Sequence, residues 1–454
     1  MWQPKVPPVS VPASNGGRPR PLYLRIVDAL AADVAAGRVS PETQLPTQRE
    51  LAHRLGTTIA TITRAYAEAR RRGLVSATVG RGTFVHGAPP RGNSGVVDLT
   101  LNQLVATPFG GELAAAAATV DPHALASLLE YQPHGGSPRH RRIGVEWVGM
   151  RGVAATPDEI VVTAGAQHGI LAALATLTSP GDAVLAEAVT YTGLISLAKH
   201  LHLRLVPVAM DAGGIDVDAF ARAAKRTGAK VAYVLPTLQN PTGVTLGTTR
   251  RKALLQAAAK HGVTLIEDDE YGVFSNAAPL AADAPEQCVY LTGVSKAVAP
   301  GLRVGFVRAP ESLVPRLAAA VFASTVMAPA FGTEIVGRWL ADGLAARVIA
   351  WKRSEFQARA TFARQVLGLK DGAALSPHLW LPTGGFGALE LVEQLRLRGV
   401  LVSAGQSFAI ARDAAPQAVR VCLGPPPTRE ALARALAVLS EVRARPPMPH
   451  ASVV

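Results

Sequence analysis

Lysine becomes a useful nucleophile when its surroundings favour the neutral amine, and Lys296 sits in such a place. The run VSKAVAPGLRVGF (294–306) sets it between an apolar strand candidate and a Pro-Gly turn. A partly desolvated lysine has a lowered pKa and can condense with a carbonyl to form a Schiff base. Arg303, seven residues on, is placed to pair with a phosphate. A lone lysine is ordinarily surface charge, so the weight comes from its company. IEDDEY (266–271) ends another apolar strand candidate in a run of acids. A carboxylate there needs a partner, and a pyridinium nitrogen would serve. Tyr271, three residues after Asp268, can reach the same ring. Asn240-Pro241-Thr242-Gly243 follows the strand candidate VAYVLP. Its amide can donate to a phenolic oxygen, although NPTG by itself is equally a good turn. TAGAQHGI (163–170) opens a helix with glycine and small residues. Such an N-terminus offers free N–H groups to a phosphate, as do many strand-to-helix turns.

These segments need a scaffold that brings their ends together. Apolar strand candidates recur at Ile160–Val162, Ala183–Ala186, Leu203–Val206, Val231–Leu235, Thr264–Ile266, Val289–Leu291 and Val304–Val307, mostly with helical stretches between them. That alternation predicts an α/β domain with a mostly parallel sheet covered by helices. Beyond about residue 330 the pattern changes to a smaller α+β lobe. It has a long helix near 345–367, short strands near 379–391 and 419–423, and a final helix over 429–443.

The first 90 residues follow a different plan. Helical spacing of Leu22, Ile26, Leu30 and Val34 stops at Gly37. A short helix spans about 47–55, with Thr47 and Glu50 at capping-box spacing and Gly56 as its stop. A third helix, about 58–72, puts Ile62, Ala65, Tyr66 and Ala69 on one face. LVSATVGRGTFV (74–85) then alternates like a hairpin around Gly80-Arg81-Gly82. Helix, turn, helix and hairpin form the layout of a winged helix-turn-helix, whose second helix enters the DNA major groove. Its outer face offers Thr61, Thr63, Arg64 and the cluster Arg70-Arg71-Arg72, and Arg81 lies at the hairpin tip. Threonine hydroxyls can reach base edges or phosphates, and arginine chiefly supplies charge. A plain three-helix cap with arginines on its solvent face would share part of this pattern.

Charge placement agrees with a polyanion partner. Of a net +13, residues 1–90 hold 12 Lys and Arg against 5 Asp and Glu, and the remainder holds 34 against 28. The basic excess is therefore about fivefold denser at the N-terminal end. With 48% apolar and 17% charged residues, the composition excludes a disordered chain. Cys288 and Cys422 stand far apart without a C-x-x-C, so neither a disulfide framework nor a zinc site is expected and no metal is assigned. Residues 1–20 are expected to be a disordered arm, lacking the apolar core of a signal peptide. Leu317–Thr333, the longest uncharged apolar stretch, contains Pro329 and Gly332 and reads as buried core rather than a membrane span. A cytoplasmic protein is expected.

LPTQRELAHRLG (45–56), TRAYAEARRRGLV (63–75) and GRGTFV (80–85) resemble the GntR-type winged-helix family over roughly residues 22–86. The resemblance implies that Arg49 and the start of the recognition helix, from Thr58, contact DNA. Ile59 stands where that family usually has arginine, and it cannot make a bidentate guanine contact. A different operator base, or weaker binding, is expected at that step.

Downstream, G-A-Q, NPTG, D-x-x-Y and SK-x(5)-LR, in this order and spacing, resemble the fold-type I aminotransferases over about residues 97–445. The resemblance implies pyridoxal 5'-phosphate (PLP) held as a Schiff base on Lys296. It implies Asp268 at the pyridine nitrogen and Asn240 and Tyr271 at the ring hydroxyl. Ala166, Gln167, Ser295 and Arg303 would hold the phosphate, and Tyr191 would stack on the ring. Arg420, in AVRVCLG, matches the arginine that grips a substrate carboxylate. Tyr131, in YQPHGG, resembles the tyrosine that reaches the partner subunit's phosphate, which makes the site that of a homodimer. Two features depart from the pattern. Gly293 stands where a serine or threonine is usual, with Thr292 displaced by one, so a phosphate contact is lost or rearranged. The Ala-rich segment 100–123 lacks the usual Gly-x-Pro motif, so an altered pocket is expected.

Together the two modules resemble the MocR subgroup of GntR-type regulators. This implies a PLP-dependent transcription regulator whose aminotransferase-like domain senses PLP, an amino compound, or both. Its expected partners are a double-stranded DNA operator, that effector and a second copy of the chain, with no membrane. The expected layout is an arm (1–20), a DNA-binding domain (21–86), a linker (87–96), a PLP domain (97–445) and a tail (446–454). One alternative is a working aminotransferase with an incidental N-terminal domain, since Lys296, Asp268 and Arg420 provide the parts of a half-reaction. Another is a PLP-binding structural protein with no DNA role. The intact winged helix and its dense charge place the regulator first. A physiological enzyme is not expected, although a residual transamination half-reaction is compatible with the regulator.

Overall fold

The computed structural model describes residues 21–35, 39, 43–71, 74–78, 82–85, 96–119, 126–369 and 376–444. The chain divides into two compact units, one ending at Gly95 and one starting at Val96. The expected arm, the tail and, apart from Val96, the linker lie outside the described residues.

In the first unit, α1 (Leu22–Ala35), α2 (Gln48–Arg54) and α3 (Ile59–Arg71) precede β1 (Val75–Thr78) and β2 (Gly82–Val85). The start of α2 is fixed by a reciprocal cap. The Glu50 N–H donates to Thr47 Oγ1 at 3.3 Å, and the Thr47 N–H donates to Glu50 Oε2 at 2.9 Å. Gly56, at φ +58°, then turns the chain in a left-handed conformation that a side chain would oppose. Ile26 and Leu30 of α1, Leu51 of α2, and Ile62 and Tyr66 of α3 close one core with Val75 and Val85. The Tyr66 hydroxyl donates to Pro46 O at 2.7 Å, satisfying its one buried polar atom. β1 and β2 pair antiparallel, and Leu45 N donates to Thr83 O at 2.8 Å, tying the segment before α2 to the hairpin.

The second unit is built on β3 (Ile160–Thr163), β4 (Ala183–Glu187), β5 (Arg204–Val208), β6 (Val231–Val234), β7 (Thr264–Asp268), β8 (Cys288–Gly293) and β9 (Gly305–Arg308). Their order across the sheet is β3-β9-β8-β7-β6-β4-β5. Only β9 runs against its neighbours. The other pairings are parallel. Separate apolar clusters pack on the two faces. Burial on both faces explains why these strands read as continuous apolar runs rather than alternating ones. Because six of the seven strands point the same way, the loops after β3, β4, β6, β7 and β8 open on one edge of the sheet.

The smaller lobe has a sheet of β10 (His378–Pro382), β11 (Ser403–Ala404) and β12 (Ala418–Cys422), with β12 central. It packs against the helices Leu344–Leu367 and Arg429–Ala444. Two sequence expectations change here. The strand near 379–391 stops at Pro382, and a helix, Ala388–Leu397, follows the Gly384-Gly385 break. Its Ala388, Leu391 and Leu395 bury a helical stripe rather than an alternating one. The lobe also takes in the start of the unit. Val97–Asp98 pair in parallel with Val400–Leu401, and Leu99 belongs to the lobe's core.

Leu317–Thr333, expected as core, is divided between the helices Val314–Thr325 and Ala330–Ala341. It buries Leu317 and Val321 but leaves Phe322, Val326 and Phe331 exposed. Among the described residues no helix is long and apolar enough to cross a membrane.

Candidate functional site

At the carboxyl edge of the large sheet, loops distant in sequence line one cavity. Its wall includes Asn102, Ala166, Gln167, Tyr191, Asn240, Asp268, Glu270, Tyr271, Ser295, Lys296 and Arg303, backed by Ile170, Leu235 and Thr237. Lys296 lies on the short helix Val294–Ala297, directly after β8. Its Nζ donates to the backbone oxygen of Asn102 and stands 6.0 Å from the centre of the Tyr271 ring. Burial pushes the Lys296 ammonium below the usual lysine range, against the weaker pull of Glu270 and Asp268. A carbonyl-capturing lysine needs this shift.

Asp268 ends β7. The Tyr233 hydroxyl donates to its Oδ2 at 2.5 Å and the Glu270 N–H to its Oδ1 at 3.1 Å. Burial raises the Asp268 pKa, and these two donors offset part of the rise. A cationic ring nitrogen would complete the stabilisation that two neutral donors begin. The Tyr271 hydroxyl donates to Asn102 Oδ1. Asn240, buried and joined to Pro241 by a cis peptide, accepts from Arg420 Nη1 at 2.9 Å through Oδ1, which leaves its amide as a donor. Arg420 projects from β12, donates from Nη2 to Thr100 O at 2.7 Å, and lies 4.7 Å over the Phe408 ring. Its Nε is buried with no partner among the described residues.

The other end of the cavity suits an anion. Gly165, at φ +88°, precedes the helix Ala166–Leu177, whose first N–H groups have no intrahelical acceptor. A Cβ at Gly165 would fall 2.7 Å from Arg303 Nη2, so glycine lets the guanidinium lie against this turn. Arg303 donates to Ala164 O at 3.3 Å and to Ser295 Oγ at 3.4 Å. Gln167 Nε2 donates to Gly193 O at 3.3 Å, while its buried Oε1 has no partner among the described residues. Tyr191 stands before the helix Thr192–His200, its hydroxyl pushed up to about 12 by burial and then by Asp268. A half-buried lysine, a buried carboxylate near its reach, a glycine cradle and an orphaned arginine Nε together fit PLP and an incoming carboxylate.

Lys296, Asp268, Tyr271, Asn240, Ala166, Gln167, Ser295, Arg303 and Tyr191 are thus brought together, and Arg420 joins them through Asn240. Tyr131 is not among them and is 86% exposed. Its segment packs on the Phe322–Val326 turn, where the His134 ring lies 4.5 Å from the Phe322 ring. Sequence reasoning missed Asn102, Tyr233 and Glu270. Tyr233 had a signal, since a hydroxyl in a buried strand needs a partner. Glu270 stood inside the acid run, which was read for Asp268 alone. Asn102 sits in a loop with no flanking motif.

In the first unit, Arg49, Thr58, Thr63 and Arg64 are exposed and Thr61 is half-buried. The Thr61 N–H donates to Thr58 Oγ1 at 3.2 Å, and the two hydroxyls lie 3.0 Å apart. Thr63 Oγ1 donates to Gln48 Oε1 at 2.7 Å, with Ile59 O at 2.9 Å. The threonines therefore brace the start of α3 against itself and against α2. Arg49 and Arg64 carry positive charge at the surface, and Ile59 is 47% exposed. Arg81 lies outside the described residues.

Comparison with known proteins places each unit. Residues 96–439 match the family described as aminotransferase class I and II, and residues 22–85 match the bacterial regulatory proteins of the gntR family. An uncharacterized HTH-type transcriptional regulator of Bacillus subtilis, YdeF, is 27% identical over 95% of this chain and 96% of its own length. The vitamin B6 salvage pathway transcriptional repressor PtsJ of Salmonella typhimurium is 26% identical over 85% of this chain and 90% of its own. Among solved structures, LysN, the α-aminoadipate aminotransferase of Thermus thermophilus complexed with N-(5'-phosphopyridoxyl)-L-leucine, superposes with a TM-score of 0.69 at 25% identity. It covers 77% of this chain and 92% of LysN.

Proposed function

The chain belongs to the aminotransferase class I and II family, and we propose that it uses this fold as the ligand-sensing part of a DNA-binding transcription regulator with PLP as cofactor. The observation that carries the reading is the pairing, in one chain, of a lysine-centred cavity with a gntR-type unit whose Arg49 and Arg64 face solvent. Residues 21–86 would bind DNA and 97–445 would bind the cofactor. The relatives named as regulators match both halves, and PtsJ's name concerns vitamin B6. PtsJ's name supports PLP as the effector, and Arg420 beside Asn240 supports an amino compound that carries a carboxylate.

Bound PLP supplies an aldehyde that captures an amine and a ring that withdraws electrons. The residues around it have separable tasks. Lys296 presents a half-buried amine and can move a proton at Nζ. Asp268 holds a proton on the ring nitrogen, with Tyr233 orienting its carboxylate. Asn240 and Tyr271 orient the ring hydroxyl. Ala166, Gln167, Ser295 and Arg303 hold the phosphate, and Tyr191 covers the ring. Arg420 receives a carboxylate.

We place the protein in the cytoplasm as a homodimer, with Tyr131 of one protomer at the phosphate of its partner. Supporting this, Leu129, Tyr131, Phe322 and Val326 leave apolar surface exposed around the contact between the 129–134 segment and the Phe322–Val326 turn. An effector would shift the dimer's DNA affinity only as far as it binds two arrangements unequally.

The second reading, a working aminotransferase, is favoured by the position of Arg420 beside Asn240. One experiment separates the two: visible absorption of the purified protein while amino acids and an α-keto acid are added, with affinity for duplexes selected from random DNA measured on the same samples. A band that shifts with amine, without sustained exchange, together with a change in DNA affinity supports the regulator. Sustained exchange with DNA affinity unmoved supports the enzyme.

A further inference from the structure

Glu270 has no task in the roles above, yet its carboxyl lies at the anion end of the cavity. Glu270 follows Asp268 out of β7, and its Oε2 lies 2.7 Å from where a Cβ on Gly293 would stand. The Ala166 nitrogen, at the start of the helix Ala166–Leu177, lies 3.5 Å from the same point. Glu270 thus occupies the space of the missing side chain at Gly293, beside a helix N-terminus. Its Oε2 is buried and unpartnered among the described residues, while the carboxyl also accepts from the Lys296 backbone N–H.

We propose, building on the cofactor reading, that Glu270 is a phosphate ligand of this site. As a neutral acid it donates its O–H into the place left by the absent hydroxyl at position 293, and its ionisation expels the phosphate. An ionised carboxylate there would face a phosphate dianion as a like charge, whereas the acid form would be a charge-assisted donor. The groups facing Glu270 are Asp268, Lys296 and Arg303, with the Tyr191 and Tyr271 hydroxyls. Burial, then Asp268, pushes its carboxyl up to about 7, against Lys296, its N–H and Arg303. A bound phosphate would raise it further. The proton required is therefore present near neutrality and lost in mild alkali.

The test is binding of pyridoxine 5'-phosphate to the full chain from pH 6 to 9, by calorimetry. This probe has no aldehyde, so Lys296 chemistry does not enter. In the wild type, Kd should weaken above about pH 7, approaching roughly tenfold per pH unit for one linked proton. Glu270→Gln keeps a neutral donor and should flatten the curve. The double variant Glu270→Ala/Gly293→Ser supplies a hydroxyl in the vacated space and should also be flat. Pyridoxine without phosphate should show one and the same pH dependence in all three, which is subtracted from the slopes above. A slope that survives in both variants, or a flat wild-type curve, overturns the assignment of Glu270. If the glutamine variant fails to fold, the double variant and the pyridoxine control decide. Failure of Glu270 alone leaves the visible band of Lys296-linked PLP intact. Failure of the cofactor reading removes that band as well.

Discussion

The two units put charge to use in opposite ways. In the winged unit, Arg49 and Arg64 stand in water on a small bracing of threonines, and a partner must come to them. In the larger unit, Asp268 is buried and Lys296 and Glu270 are half-buried, and desolvation is the largest influence on each of their proton affinities. Exposed charges act at a distance and are screened by salt. Buried ones act at contact and respond to pH. One chain thus carries exposed charge and desolvated titratable groups on separate scaffolds.

The largest effect should come from Lys296→Ala. The visible band of bound PLP disappears, while circular dichroism and the melting of the winged unit stay as in wild type. A persisting band would remove Lys296 from the centre of the site. Next in size is salt. For a dimer making about six phosphate contacts, DNA affinity should fall roughly a thousandfold between 50 and 200 mM salt. PLP affinity should move far less, and Arg49→Ala with Arg64→Ala should make the salt slope shallower without touching PLP. Equal salt sensitivity in both functions would erase the contrast.

A smaller effect concerns pH and the stability of the cofactor-free protein. Burial raises Glu187 and Glu267 to about 8 and Glu270 to about 7. The folded state therefore keeps protons that the unfolded chain releases near 4.5. Their stabilisation is complete below that value, falls as pH rises above it, and is gone once pH has passed 7 to 8. Hydrogen exchange at pH 6 and pH 9 should show protection falling in β4 and β7 but not in α2 or α3. Uniform loss in both units would show that burial is not the cause. The smallest effect is Thr47→Ala, which removes the cap of α2 and should cost about 1 kcal/mol in the winged unit alone.

Legibility in the sequence followed the range of the interactions. The cap at Thr47 and Glu50, the turn at Gly56 and the hairpin are local, and their residues state their own geometry. The strands ending at Asp268 and Gly293 were legible because burial on both faces leaves long apolar runs. Lys296, Asp268 and Asn240 were legible as motifs. Asn102 was not, because its importance comes from a loop folded back across nearly 200 positions to meet Lys296. The helix Ala388–Leu397 reads as strand in the sequence because the apolar run of β10 lies just before it and two glycines hide the change of period. Glu270 was passed over because nothing in an acid run tells which carboxyl a missing side chain elsewhere has left room for.

The loop at Asn102 has one more property, which follows from covalent connection. The second unit begins at Val96, and within its first few residues the chain pairs at Val97–Asp98, receives Arg420 at Thr100, and receives Lys296 and Tyr271 at Asn102. Three of the groups assigned to the cofactor and its ligand are therefore moored to the stretch of chain that leads back to the winged unit. Any guest that draws them away must therefore break hydrogen bonds to Thr100 and Asn102, at the very start of the second unit.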